Sequence, residues 1–133
     1  MNSFFSPGSE RIKSKKELDL IFKNGNTLLS FDKKIKAHYL VLNNSENPNA
    51  KFAVAISKKS GTAVWRNRVK RLLRQVYREN KFLLKNSIEE KKISLMLVLA
   101  PNFVNQGVFK KVSLNEIKYS VLELMLKIRD NIN

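Results

Sequence analysis

Basic side chains are concentrated in one short segment of this sequence, and they are the groups most suited to chemistry. Residues 58–81 contain nine Lys or Arg side chains and a single acid. Four of the basic residues recur at every fourth position: Arg66, Lys70, Arg74 and Arg78. That spacing places them on one face of a helix, where like charges repel one another unless anions lie opposite. Because the guanidinium fork binds phosphate oxygens bidentately, the segment predicts a helix that binds a polyanion.

The overall composition restricts the class of protein. The 133 residues include 26 basic and 11 acidic side chains, for a formal charge of +15, and 43% are hydrophobic. This apolar content predicts a packed core rather than a disordered basic tail. With no cysteine and one histidine, His38, the composition argues against a disulfide scaffold, a thiolate metal site and a Ser-His-Asp triad.

The surroundings of the protein can also be predicted. No apolar run approaches the roughly 20 residues that a membrane span needs. The first residues lack the basic and then apolar pattern of a signal peptide. We therefore expect a soluble, cytoplasmic protein with no membrane partner, and nucleic acid is the commonest polyanion in that compartment.

Hydrophobic periodicity and turn residues predict the elements of the first half of the chain. Ser14 and Glu17 form a capping box for a helix over residues 15–23, with Gly25 at its C-cap. Strands are predicted over residues 27–31, 35–42 and 51–57. The turn-rich segment between the last two strands predicts an antiparallel hairpin. The continuous apolar run 52–56 predicts a strand that is covered on both faces.

The second half is predicted to contain a long helix, a strand and a final helix. The long helix covers residues 62–84, and a strand follows over residues 93–100, with Glu89 and Glu90 in the loop between them. The buried stripe of the long helix is Val64, Trp65, Val69, Leu72, Leu73, Val76 and Leu83. The last helix begins at a Ser113 capping box and buries Leu114, Ile117, Val121, Leu124 and Ile128. These elements predict a single α+β domain over residues 1–133, with an ordered core of about 11–130.

The basic segment resembles the signature of one family. Residues 58–74 read Lys-Lys-Ser-Gly-Thr-Ala-Val-Trp-Arg-Asn-Arg-Val-Lys-Arg-Leu-Leu-Arg. This run is similar to the signature of the protein subunit of bacterial ribonuclease P. The hallmark is the Arg-Asn-Arg triplet of residues 66–68, followed on the same helix by Lys70, Arg71 and Arg74. Residues 18–25 resemble the first helix of the family, and the likeness covers roughly residues 11–128.

The resemblance implies both a fold and a function. The fold is an αβββαβα sandwich of the ribosomal-protein-like type, with a left-handed βαβ crossover around the basic helix. Members of the family bind the catalytic RNA of ribonuclease P, and the complex removes the 5′ leader from precursor tRNA. The RNA subunit carries the active centre and holds most of the Mg²⁺. The expected partners are therefore this RNA and precursor tRNA, and not DNA.

The resemblance and the basic stripe together assign roles to residues. The residues expected to contact RNA are Lys58, Lys59, Arg66, Asn67, Arg68, Lys70, Arg71, Arg74 and Arg78. The residues expected to line a cleft for the leader are Arg11, Ser14, Leu18, Phe22 and Tyr39. Many members carry Phe at the position of Leu18, so apolar contact rather than base stacking is expected there. We predict no catalytic and no metal-ligating residue.

Three other functions compete with this one. A ribosomal or ribosome-assembly protein fits the charge and the fold class, but not the Arg-Asn-Arg signature. A double-stranded DNA binder would insert the basic helix into a major groove, yet this helix connects two strands inside a domain. A protein-only endonuclease lacks a catalytic constellation, because Glu89 and Glu90 are expected to face solvent and His38 to be a packed or surface side chain.

Overall fold

A four-stranded sheet organises the residues that this computed structural model describes, which are 11–12, 14–102 and 114–132. The helices are α1 (Lys15–Asn24), α2 (Ala63–Asn80), α3 (Phe82–Lys91) and α4 (Leu114–Ile132). The strands are β1 (Asn26–Leu29), β2 (Ile35–Leu42), β3 (Asn49–Val54) and β4 (Ser94–Pro101). A short 3₁₀ helix spans Lys58–Ser60. This order confirms the predicted α+β class, with one helix more than expected.

The sheet has the strand order β1-β2-β4-β3. β2 pairs antiparallel with both β1 and β4, whereas β3 pairs parallel with β4. β3 and β4 are parallel neighbours, so the chain must cross from the end of β3 back to the start of β4. α2 and α3 form this crossover connection and pack against the sheet. The left-handed sense of this crossover stays a prediction. β4 lies inside the sheet and is buried from Leu95 to Ala100, as its unbroken apolar run indicates.

The predicted hairpin of β2 and β3 is wrong, because β4 lies between them. The turn-forming residues 43–48 do reverse the chain, but their loop also spans two strand spacings, about 10 Å. The loop is held at the start of β4, where the Ser45 amide donates to the Lys92 carbonyl oxygen at 2.8 Å. The Ser45 and Ser94 hydroxyl oxygens are also 2.7 Å apart. β3 is consequently an edge strand, half-buried over most of its length rather than covered on both faces.

The predicted long helix is divided at Lys81 into α2 and α3. The Leu84 amide donates to the Lys81 carbonyl oxygen at 3.0 Å, which closes the turn between the two helices. Leu84 and Ile88 of α3 are buried in the core. Glu89 and Glu90 belong to the last turn of α3 rather than to a loop, and both are exposed as predicted.

The two faces of the sheet carry cores of different size. On one face, α2, α3 and α4 pack against the strands and form the larger core. The predicted buried residues found there are Trp65, Val69, Leu72, Leu73, Val76, Ile117, Val121, Leu124 and Ile128. Val64 is an exception, since it lies in the first turn of α2 with 81% of its surface exposed. Ser113 and the side chain of Leu114 lie outside the described residues.

On the other face of the sheet, α1 is the helix that packs among the described elements. The smaller core there consists of Ile12, Ile21, Met96 and Val98, with Leu18, Leu40, Ala53 and Ala55 partly buried around it. Because one short helix covers only part of a sheet face, the end of this face towards Lys36 and Pro101 stays open.

Gly25 ends α1, as predicted, but its backbone does not adopt the left-handed conformation that usually favours glycine at a helix end. Its φ is −85°, and its amide donates to the Ile21 carbonyl oxygen at 2.8 Å. A Cβ atom at this position would lie 2.5 Å from the carbonyl oxygens of both Ile21 and Tyr39. The residue therefore has to be glycine because the end of α1 runs against the backbone of β2.

Asp32 fastens the turn between β1 and β2 to α4. Its Oδ1 accepts from the Ser30 hydroxyl at 2.6 Å and from the Lys34 amide at 3.1 Å, and its Oδ2 accepts from the Ser120 hydroxyl at 2.7 Å. Burial acts to raise the pKa of this carboxyl, but the hydrogen bonds and the Lys34 charge outweigh it and lower the pKa below its ordinary value.

We expect Asp32→Ala to lower the free energy of unfolding at pH 7 by about 2–3 kcal/mol, because the variant leaves the fully buried Ser120 hydroxyl without its acceptor. A carboxyl whose pKa is lowered by folding stabilises the fold at pH values above its ordinary pKa. It loses this contribution as the pH falls from the ordinary pKa through the lowered one. The difference between the two proteins should therefore shrink below about pH 4. Urea unfolding at pH 7 and pH 3 measures both values. The exposed Asp19→Ala is the control, and an equal difference at the two pH values would contradict the role of the charge.

Candidate nucleic-acid interface

α2 separates its apolar and cationic side chains onto opposite sides. Its inner side is buried against the sheet and α4. We call its outer side the basic face, which consists of Arg66, Asn67, Lys70, Arg71, Arg74 and Arg78. Arg66 and Lys70 are half-buried along one margin, and the other four residues are exposed. Arg68 is exposed beside them at the opposite margin. The predicted cationic residues therefore lie on one side of the molecule.

Among the described residues, carboxylates do not neutralise the cations of the basic face. In the described part of the chain, Lys70, Arg71, Arg74 and Arg78 form no ion pair with a carboxylate. The acid of the same helix, Glu79, accepts instead from the Gln75 side-chain amide at 3.0 Å. Uncompensated guanidinium groups at neighbouring positions raise the energy of the free protein, and bound phosphates would relieve that repulsion.

The start of α2 is fixed by two side chains. The Thr62 hydroxyl oxygen accepts from the Trp65 amide at 3.2 Å and so caps the helix. Arg66 Nε donates to the Gly61 carbonyl oxygen at 3.1 Å. This bond holds the Arg66 side chain back against the first turn, so Arg66 positions its guanidinium group at the end of the basic face nearest the 3₁₀ helix.

Lys58 and Lys59 lie in the 3₁₀ helix before α2, with exposed side chains. Backbone amides just before a helix can bind an anion as well. The Lys59 amide, however, donates to the Ser57 hydroxyl at 3.2 Å, and the Ser60 amide donates to the Ser57 carbonyl oxygen at 3.0 Å. These two amides are used within the turn and are therefore not available to an anion.

A groove lies on the open part of the sheet, beside α1. It has a volume of about 360 Å³. Its lining residues are Phe22, Lys36, His38, Ala55, Ile56, Ser57, Ser60, Ala100 and Pro101. Phe22 comes from the last turns of α1, and Lys36 and His38 come from β2. Ser57 and Ser60 flank the two lysines of the 3₁₀ helix, so the groove opens directly beside them.

His38 is a groove residue whose role the sequence did not reveal. Its ring meets the Phe22 ring edge-on, with centroids 4.9 Å apart, and its Nδ1 is 2.9 Å from the Thr27 hydroxyl oxygen. Burial, together with the charge of Lys36, lowers the pKa of His38 below its ordinary value. The imidazole is therefore neutral near pH 7, and it offers an aromatic surface rather than a charge.

Tyr39 does not line the groove, and its predicted placement is wrong. Side chains alternate between the faces of a strand, and Tyr39 is buried in the larger core on the opposite face from His38. Its hydroxyl oxygen accepts from the Asn131 side-chain amide of α4 at 3.1 Å. Ile35 and Ala37 are apolar and lie on the same face of β2 as Tyr39, which marks that face as the buried one. The alternation of side chains would therefore have assigned His38, one residue before Tyr39, to the groove face.

The other residues predicted for the cleft are spread along α1 and its approach. Arg11 is exposed where the chain pairs with Phe52 at the edge of β3. Ser14 caps α1, since its hydroxyl oxygen accepts from the Glu17 amide at 3.0 Å. Leu18 is half-buried in the smaller core. Of the five predicted residues, Phe22 lies in the groove itself, with half of its surface exposed.

α1 is tied to β3 by an ion pair. Lys51 Nζ lies 3.1 Å from Glu17 Oε2. Burial acts to raise the pKa of Glu17, but the hydrogen bond and charge of Lys51, with the Ser14 hydroxyl, lower it overall. The pair fixes the start of α1 on the sheet and thereby the position of Phe22 at the other end of the helix.

The described residues contain neither a metal-binding cluster nor a membrane-spanning helix. In the ranges 11–12, 14–102 and 114–132, no three His, Asp or Glu side chains come close enough to hold a metal ion together. No helix in that part of the chain is long and apolar enough to cross a membrane.

A helix with one cationic side, next to a groove that presents aromatic rings, defines the class of this chain as a nucleic-acid-binding protein. The sequence profile of the family described as Ribonuclease P matches residues 6–129. The chain therefore belongs to the ribonuclease P protein family. It is a protein subunit of this metal-dependent ribonucleoprotein, the endoribonuclease that matures the 5′ ends of tRNA, and the ribonuclease P RNA is its partner.

Relatives and solved structures agree with this assignment. The chain is 28% identical to the ribonuclease P protein component of Dictyoglomus turgidum, over 96% of its own length and 92% of that protein. It is 30% identical to that of Geobacillus sp., over 88% of each. The structure of the Staphylococcus aureus protein matches with a TM-score of 0.66 and 25% identity, over 94% of this chain and 99% of the other. The Thermotoga maritima protein shares the fold, with a TM-score of 0.70 and 22% identity, over 89% and 96% of the two chains. The family assignment favours the ribonuclease P subunit over the ribosomal alternative.

Proposed function

We propose that this chain binds the catalytic RNA through its basic face and the 5′ leader of precursor tRNA through its groove, so that the holoenzyme removes the leader. The continuity of the two surfaces carries the proposal. Ser57 and Ser60 line the groove and enclose Lys58 and Lys59, and α2 begins three residues after Ser60. A strand of RNA that leaves the groove at this end meets cationic side chains at once.

The chemistry of the groove suits a single strand of RNA. Half of the Phe22 surface is exposed, and His38 supports its ring through an edge-on contact. Aromatic rings stack on any base, which suits leaders of differing sequence. Lys36 adds a cation for the backbone phosphates, and Ala55 and Ala100 leave room above the sheet.

The RNA subunit, rather than this chain, supplies the reacting groups in this proposal. The described residues bring together no set of carboxylates that would fit Mg²⁺, so we assign the Mg²⁺ to the RNA. The protein contributes binding and orientation. Its cations replace counterions along the phosphates where it docks, which reduces the Mg²⁺ concentration that the complex needs. We place this reaction in the cytoplasm, where tRNA precursors are made.

Reconstitution tests the proposal. We expect the purified chain, freed of RNA by nuclease treatment, to leave precursor tRNA intact. Adding it to ribonuclease P RNA should produce cleavage at a low Mg²⁺ concentration at which the RNA alone is inactive. Gel analysis of the released leader measures both results. Cleavage by the nuclease-treated protein alone, or no gain over the RNA alone, would overturn the proposal.

A further inference from the structure

The turn between β1 and β2 is more firmly braced than a surface turn requires. Besides the three hydrogen bonds of Asp32, the Asn102 side-chain amide donates to the Lys33 carbonyl oxygen at 2.9 Å, and the Asn102 main-chain amide donates to the Lys34 carbonyl oxygen at 2.7 Å. The Phe31 amide donates to Glu123 Oε1 of α4 at 2.7 Å. Lys33 is held in the left-handed region, with φ at 60°. The turn is therefore fixed from both the sheet and α4.

The hydrogen bonds described above for this turn use the main chain of Lys33 and Lys34, and both side chains are exposed. Asp32 and Glu123 lie beside the turn, and the Lys34 charge acts on Asp32. Asp32 accepts from two hydroxyls and an amide, and Glu123 accepts from Phe31 and lies 3.5 Å from Lys127. The turn thus presents cationic groups to solvent on a rigid support, and rigid support lowers the entropic cost of binding an anion.

The turn lies at one end of the groove. Lys36, two residues after Lys34, lines the groove, and Asn102 directly follows Pro101 of the groove wall. Lys58 and Lys59 lie beside Ser57 and Ser60 of that same wall. The mouth of the groove therefore has lysines on two sides, from elements far apart in sequence.

We propose that Lys33 and Lys34 form a second phosphate-binding site for the leader, which holds the part of the strand that extends beyond the groove. The inference rests on the proposed binding of the leader in the groove, and it extends the contact to nucleotides more distant from the cleavage site. The chemistry is that of ammonium groups with the backbone of single-stranded RNA, without base recognition.

The test variant is Lys33→Asn with Lys34→Gln. Asn removes the charge and tolerates a positive φ, so the turn can keep its conformation. The chain offers a matched control in Lys91→Gln with Lys92→Asn, since both residues are exposed and Lys92 also has a positive φ, of 51°. These two lysines lie before the start of β4, roughly 23 Å along that strand from the turn.

Holoenzymes containing each protein are assayed for binding of mature tRNA and of precursors with leaders of about two and about ten nucleotides, the longer within the span of a single-strand binding module. We expect the test variant to bind the long-leader precursor three- to tenfold more weakly, with the salt slope of log affinity reduced by about one. The short-leader precursor and mature tRNA should bind unchanged, as should all substrates with the control. Lys33→Arg with Lys34→Arg should restore binding.

Three results would overturn the inference: no loss, an equal loss for every substrate, or the same loss with the control. No loss would mean that no phosphate binds at the turn. An equal loss for every substrate would indicate contact with the catalytic RNA, and the same loss with the control would indicate a general effect of charge. Failure of the proposed function looks different, because wild-type holoenzyme would then bind precursors and mature tRNA with equal affinity. Thermal unfolding of each variant shows whether the turn has kept its structure.

Discussion

Replacing Arg71, Arg74 and Arg78 by Gln is expected to weaken binding of the ribonuclease P RNA by about 1,000-fold or more. The three side chains are exposed on the basic face, and in the described part of the chain none pairs with an acid. Each charge-assisted hydrogen bond to a phosphate contributes about 1.5 kcal/mol or more, and each neutralised phosphate adds nearly one unit to the salt slope. The slope of log affinity against log salt should therefore fall by about two to three.

Filter binding of the RNA over a range of salt concentrations measures this effect. The control removes the same charge elsewhere, with Lys91→Gln, Lys92→Asn and Lys127→Gln. These residues lie at the end of α3, just after it and on α4, and their removal should change the slope little. A triple Arg→Lys variant keeps the charge but loses the guanidinium forks, so it should show an intermediate loss. If the control reduced affinity as much as the test variant, the location of the charges on α2 would be irrelevant, and the basic face would not be the RNA site.

Phe22→Ala is expected to reduce the affinity of the holoenzyme for precursor tRNA by about 10-fold, with mature tRNA bound as before. Stacking of a base on an aromatic ring contributes about 1–3 kcal/mol. The ring is half-exposed, so its removal costs little of the core, and Ile21 of the same helix remains buried. The ratio of the two affinities, measured by equilibrium binding, isolates the contribution of the leader.

Tyr119→Ala provides the matched control for this groove variant. Tyr119 is an aromatic residue of α4 with 65% of its surface exposed, on the helical side of the sheet. Its removal should change neither affinity. If Phe22→Ala weakened the binding of mature tRNA by the same factor as that of the precursor, the groove would hold some part of the RNA other than the leader.

The basic face was predictable because it depends on one helix and on local spacing. Arg66, Lys70 and Arg74 follow the helical repeat, and the apolar residues between them define the opposite side. Neither property depends on what the helix packs against. The division at Lys81 was not predictable in the same way, since the apolar and polar positions continue past it without a break.

The groove was harder to predict because it depends on strand neighbours. The sequence indicates that the chain reverses after β2, but not that β4 enters between β2 and β3. Strand faces also alternate at every residue, so an error of one position moved the predicted aromatic contact from His38 to Tyr39. Phe22 lies in the groove, and its position depends on α1 and its cap, which are local features.

Because β4 lies between β2 and β3, a nascent chain that ends before residue 94 cannot assemble the sheet. β1 and β2 can pair as an isolated hairpin, which is marginal in water, while β3 still lacks its partner strand. Arg71 and its neighbours therefore leave the ribosome before β4, the strand that completes their support, does. Most of the protein must therefore be synthesised before it can fold. During that interval its cationic segment is not yet packed against the sheet and is exposed to the RNAs of the translation machinery.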